Sequence, residues 1–122
     1  MHQPRPSRSA VVYLCTTLHT DPRNLLDACH AYAGNRGWHV VEALHDDTGL
    51  SDPTRPRDRP ALARAIEVLD GSDASVLLTV SPGMISSLPA EYDQVARRVT
   101  DAGGFIHTMG WAWTRPADRR SA

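Results

Sequence analysis

The run "ASVLLTV" at residues 74–80 constrains the fold most strongly. It is almost uniformly apolar, without the alternation of a strand that turns one face to water, and it fits a parallel strand covered on both faces. "AVVYLCT" at 10–16 is β-branched and aromatic, is bounded by polar residues, and reads as a second buried strand. Covering a sheet on both faces requires helical layers above and below it, and the sequence between these runs supplies helical spacing.

After the first strand, Asp21 and Pro22 form a helix-start signal, an acceptor at the cap and a proline at the first helical position. Leu25, Leu26, Cys29, Tyr32 and Ala33 then recur at helical spacing, and Gly34 or Gly37 ends the helix. "WHVVEAL" predicts a strand over Trp38 to Leu44. "HDDTGLSDPTRPRDRP" follows as a long surface loop with Asp-initiated turns and three prolines. Leu62, Ala65, Ile66 and Leu69 predict a helix over 61–69, stopped by Gly71. Beyond 74–80, the punctuated loop "SPGMISSLP" leads to an amphipathic helix over 91–102, with Tyr92, Val95, Ala96 and Val99 on one side. Gly103 and Gly104 end it, and "FIHTM" is the last strand. The order β-α-β-α-β-α-β predicts a three-layer α/β/α domain with a mostly parallel sheet of about four strands.

The 122 residues suffice for one domain with a real core: a loose tail at 1–9, an α/β domain at 10–110 and a short tail at 111–122. The apolar runs are too short to cross a bilayer, and "MHQPRPSRSA" makes a poor signal peptide, so the expectation is a cytoplasmic protein without membrane contact. A net charge of -1 opposes a strongly basic nucleic-acid platform, although all thirteen basic residues are arginines and a local patch is open. Cys15 and Cys29 make no disulfide framework and read as reduced thiols.

Ligands of a parallel sheet gather beyond the carboxyl ends of its strands, which brings Cys15, Thr16 and Thr17 near the "HDDTG" turn and the "SPGM" loop. Thr17 as a nucleophile needs a base, for which His19 and His45 are candidates; the plainer reading is a loop hydroxyl. Asp46 and Asp47 are the weak candidates for a divalent ion, against a simple role in capping a turn. Cys15, His19, Cys29, His30 and His45 fit none of the compact zinc spacings, and Cys29 reads as core. Neither a dinucleotide-binding glycine fingerprint nor a phosphate-binding loop with its lysine is present, so no cofactor is expected. Arg55, Arg57 and Arg59 share one loop and suit either phosphate contact or a mixed-charge surface. Trp111 and Trp113 are candidates for an interaction surface.

Taken in order, these pieces resemble the amino-terminal catalytic domain of the serine recombinases, the resolvase and DNA-invertase group, from about Val11 to Met109. Tyr13 stands at the tyrosine of that family's Tyr-x-Arg-x-Ser strand. "DTGLSD" at 47–52 follows its Asp-x-Gly-x-Ser-Gly turn, with Asp52 in place of glycine. "RPAL" at 59–62 matches its Arg-Pro-x-Leu helix start, and "EYDQVARRVTDAGGFIH" its next helix, glycine turn and strand. The resemblance implies a resolvase-like fold, with Tyr13, Thr17 and Arg59 as vestiges of a catalytic site.

The family's catalytic cluster is largely absent. Cys15 replaces an arginine and Thr17 the nucleophilic serine, while Gly83, Met84 and Ser87 stand where an aspartate and two arginines are expected. Those recombinases attack a DNA phosphate with a hydroxyl, and losing one preorganised donor at such a site costs roughly 3 kcal/mol of transition-state stabilisation. The long helix and DNA-recognition module that follow in the family are also missing from "GWAWTRPADRRSA". The expectation is a non-catalytic regulatory or protein-interaction domain, with a protein partner or a second copy of itself and only weak DNA contact. The alternatives are an atypical DNA-processing enzyme using Thr17, and a small-molecule or nucleotide-binding module.

Overall fold

The structure is a computed structural model and describes residues 8–16, 21–47, 59–86 and 88–109. Its elements are β1 (Ser9–Cys15), α1 (Arg23–Asn35), β2 (His39–Asp46), α2 (Pro60–Gly71), β3 (Ala74–Thr79), a 3-10 turn (Pro82–Met84), α3 (Pro89–Asp101) and β4 (Phe105–Thr108). All strands are parallel, in the order β2-β1-β3-β4. The mostly parallel, four-stranded α/β sheet read from the sequence is therefore present, and it is parallel throughout.

The central strands are the two apolar runs. Val11, Val12, Tyr13 and Leu14 of β1, and Val76, Leu77 and Leu78 of β3, have no solvent exposure. The edge strands alternate instead: β2 leaves Val41 and Ala43 exposed between half-buried neighbours, and β4 leaves Phe105 exposed. Right-handed crossovers place α1 on one face and α2 with α3 on the other. The contacts agree. Arg64 of α2 reaches Glu42 of β2, whereas Cys29 and Tyr32 of α1 meet Met109 and His107.

Several boundaries move for identifiable reasons. β2 runs past Leu44, because His45 and Asp46 continue the parallel register opposite Leu14 and Cys15. "HD" is thus the end of a strand rather than the start of a loop. α2 includes Gly71, and the break comes at Ser72, whose hydroxyl bonds back to the Val68 carbonyl while accepting the Ala74 N–H. Asp21 does act at the start of α1, with Oδ1 accepting the Arg23 N–H at 3.0 Å. At the other end Gly37 takes the turn with φ +76°, after the helix has closed at Asn35. Gly103 turns out of α3 at φ +94°, and the next residue approaches β3 closely: a Cβ on Gly104 would lie 2.9 Å from the Ser75 carbonyl oxygen.

Candidate functional site

The carboxyl end of the sheet carries a buried polar network built from three segments far apart in sequence. Tyr13 on β1 and Asp46 on β2 project toward α2, and Arg59 is the residue preceding it. Because Pro60 occupies the first turn of α2 and Arg59 has no capping oxygen, the helix needs an acceptor from elsewhere. Asp46 supplies it. Its Oδ1 accepts the Ala61 N–H at 3.0 Å, and Oδ2 accepts the Leu62 N–H at 3.1 Å and the Tyr13 hydroxyl at 2.8 Å.

Arg59 is 3% exposed. Its Nη1 donates to the Met84 carbonyl at 2.8 Å and to the Tyr13 hydroxyl at 3.4 Å, and its Nη2 donates to the Ile85 carbonyl. Tyr13 thus accepts from the cation and donates to the carboxylate, linking two buried charges through one phenol. Burial pushes the phenol far above its ordinary value; Arg59 opposes that shift, while Cys15 and Asp46 reinforce it. Tyr13 is accordingly a neutral hydrogen-bonding group. The Arg59 Nε has no partner among the described residues.

This arrangement staples the turn after β3 to the first two strands. A guanidinium engaged by two backbone carbonyls is held facing the protein, with its charge offset by Asp46 one phenol away. Cys15 is buried at 1% exposure, and Met84 at 6%, with its Sδ near the Thr79 hydroxyl. Both sit beside the network as packing side chains at positions where the resemblance calls for arginine.

On the other face of the same strand ends, the Thr16 hydroxyl lies 2.6 Å from His45 Nε2, and the Thr16 N–H donates to the Asp46 carbonyl. The sequence placed Thr16 near the turn that begins at His45 without pairing the two; the signal is positional, since Thr16 directly follows β1 and His45 is the second-last paired residue of β2. Thr17 and His19 lie outside the described residues, as do Ser87, Trp111, Trp113, Arg55 and Arg57. Asp46 and Asp47 are separated in role: Asp46 is buried at the start of α2, while Asp47 is exposed. The turn-capping role read for Asp46 concerned the Thr48–Gly49 turn, which lies outside the described residues; here Asp46 caps the start of α2. Among the described residues no cluster of three or more His, Cys, Asp or Glu side chains is placed to hold a metal. Cys29 is fully buried on α1, its thiol pushed up to about 11 by burial, which suits the core role read for it. No helix among the described residues is long and apolar enough to cross a membrane.

The sequence matches no family model and no curated protein. Among solved structures, the chain is similar to the C-terminal catalytic domain of ISC1926 TnpA, an IS607-like serine recombinase. The TM-score is 0.69 at 18% identity, covering 87% of this chain and 72% of that one. It is also similar to the N-terminal catalytic domain of TP901-1 integrase, with a TM-score of 0.72 at 18% identity, covering 84% of this chain and 77% of that one. The chain has the fold of the serine-recombinase catalytic domains, the resolvase-like α/β fold that its ordered motifs resemble.

Proposed function

We propose that this chain is a resolvase-like domain that does not catalyse strand exchange and acts through protein contacts, as a regulatory or accessory component. The observation that carries the reading is the inward-facing Arg59. The one arginine of the family cluster that the sequence retains donates to the Met84 and Ile85 carbonyls and to Tyr13, and serves the fold. The neighbouring positions hold buried Cys15 and Met84, neither of which can stabilise charge developing on a phosphate. The fold is kept, and the charge that the chemistry needs is not. Its partner is another protein or a second copy of itself, and DNA contact by this domain alone is weak.

The direct test is incubation of the purified protein with supercoiled DNA, alone and with candidate partner proteins. The expected outcome is no nicking, no topoisomers and no covalent protein–DNA adduct. A covalent adduct that disappears in Thr17→Ala would overturn the proposal and establish the atypical enzyme instead.

A further inference from the structure

A second cluster, on the α1 face, joins that helix to the edge of the sheet. Tyr32 projects from α1 and its hydroxyl lies 2.7 Å from His107 Nε2 on β4. Trp38, in the turn entering β2, meets the His107 ring edge-to-face, at 5.0 Å between centroids and 85° between planes. The Arg36 guanidinium lies over both aromatics, 4.7 Å from the Tyr32 ring centroid and 5.5 Å from that of Trp38. Unlike the Tyr13 network, the cluster is half-buried and contains a side chain that titrates near neutrality.

The groups around His107 favour one protonation state. From α1 and its end come the Tyr32 hydroxyl and the Arg36 cation. From the turn comes the Trp38 ring, and from β3 the apolar side chain of Leu78, its register partner. On its own strand Phe105 lies two residues away, with the Arg8 guanidinium over that ring at 5.5 Å. No carboxylate forms an ion pair with His107 among the described residues. In the neutral tautomer with its proton on Nδ1, Nε2 accepts a hydrogen bond from the Tyr32 hydroxyl. Protonated Nε2 has no lone pair to offer, so that hydrogen bond must reverse, and a second positive charge then shares the cluster with Arg36.

We propose that the Tyr32–His107 contact is a proton-operated latch between α1 and the β4 edge, closed while the imidazole is neutral and loosened when it is protonated. Burial first, and Arg36 second, hold the His107 imidazole below its ordinary 6.5, in agreement with this geometry. The sign follows. The unfolded chain binds this proton more readily than the folded one, so the stabilisation is complete above the ordinary imidazole value. It is lost as pH falls from 6.5 through the lowered folded value. Mild acid therefore loosens the contact between α1 and β4.

The test is an NMR titration of the His107 ring in the intact protein, combined with amide hydrogen exchange along α1 and β4. The expected result is a titration below the ordinary imidazole value of 6.5, with several-fold faster exchange at α1 and β4 over the same range and no change at β1. His107→Gln keeps a neutral side chain at every pH and should abolish the acid-dependent exchange. Tyr32→Phe should move the His107 titration upward, toward its ordinary value. Titration of His107 at or above the ordinary imidazole value would overturn the latch, as would acid-dependent exchange that persists in His107→Gln.

Discussion

On the α2 face of the sheet, Arg59 is 3% exposed and donates to three oxygens, with Asp46 within reach through Tyr13. On the α1 face, Arg36 is exposed and its side chain makes no hydrogen bond or ion pair among the described residues; its guanidinium lies over Tyr32 and Trp38. Both are arginines beside a tyrosine, yet their consequences differ. A charge withdrawn from water requires a nearly complete set of partners, and once that set exists the arrangement is rigid. A charge left in water needs only a surface to rest on, and its influence on a neighbour such as His107 is modest and adjustable. The carboxyl end of the sheet is where this chain withdraws a cation from water and partners it. The adjustable region lies on the opposite face.

Three substitutions separate the two regions. The largest effect belongs to Arg59→Leu, which leaves Asp46 without its cation and the Met84 and Ile85 carbonyls without donors. Breaking one side of such a buried arrangement costs about 3–5 kcal/mol, measurable as a lowered denaturant midpoint at unchanged slope. A loss under about 1 kcal/mol, the size typical of surface pairs, would mean that the buried network is not a staple. Tyr13→Phe is intermediate. It removes the phenol between cation and carboxylate but leaves the two helix N–H donors on Asp46, for a cost of about 1–3 kcal/mol. The smallest effect is expected for Arg36→Ala, about 0.5–1 kcal/mol for an exposed cation resting on aromatic rings. Its informative readout is the His107 titration, which should rise toward the ordinary value when the neighbouring cation is removed.

Much of the layer structure was legible because burial on two faces leaves a distinctive mark. The β1 and β3 runs are almost entirely apolar at positions covered from both sides, and the sheet places those two strands at its centre. The helices were legible from the spacing of Leu62, Ala65, Ile66 and Leu69, and of Val95 and Val99, all buried as that spacing requires. The end of β2 was harder to read. His45 and Asp46 look like the start of a turn in isolation, and only their register opposite Leu14 and Cys15 shows that they extend a strand. The sequence named the residues of the buried network but not how they meet. Tyr13, Asp46 and Arg59 were each singled out, and nothing in their spacing of 33 and 46 residues indicated that one phenol would bridge the other two.

The sequence alone determined where strands and helices form, because local periodicity and apolar content follow from which faces must leave water. It also determined that the residues able to hold a phosphate charge are scarce at the expected positions, since Cys15 and Met84 carry no positive charge in any fold. Tertiary structure decided the direction in which Arg59 points. A guanidinium before a helix can face solvent, a ligand or the core. Here Asp46, already held by the first turn of α2, and the carbonyls of Met84 and Ile85 together favour the core. The same holds for His107: its place on a strand is local, but its protonation depends on Tyr32, Trp38 and Arg36, which only the folded chain brings within reach.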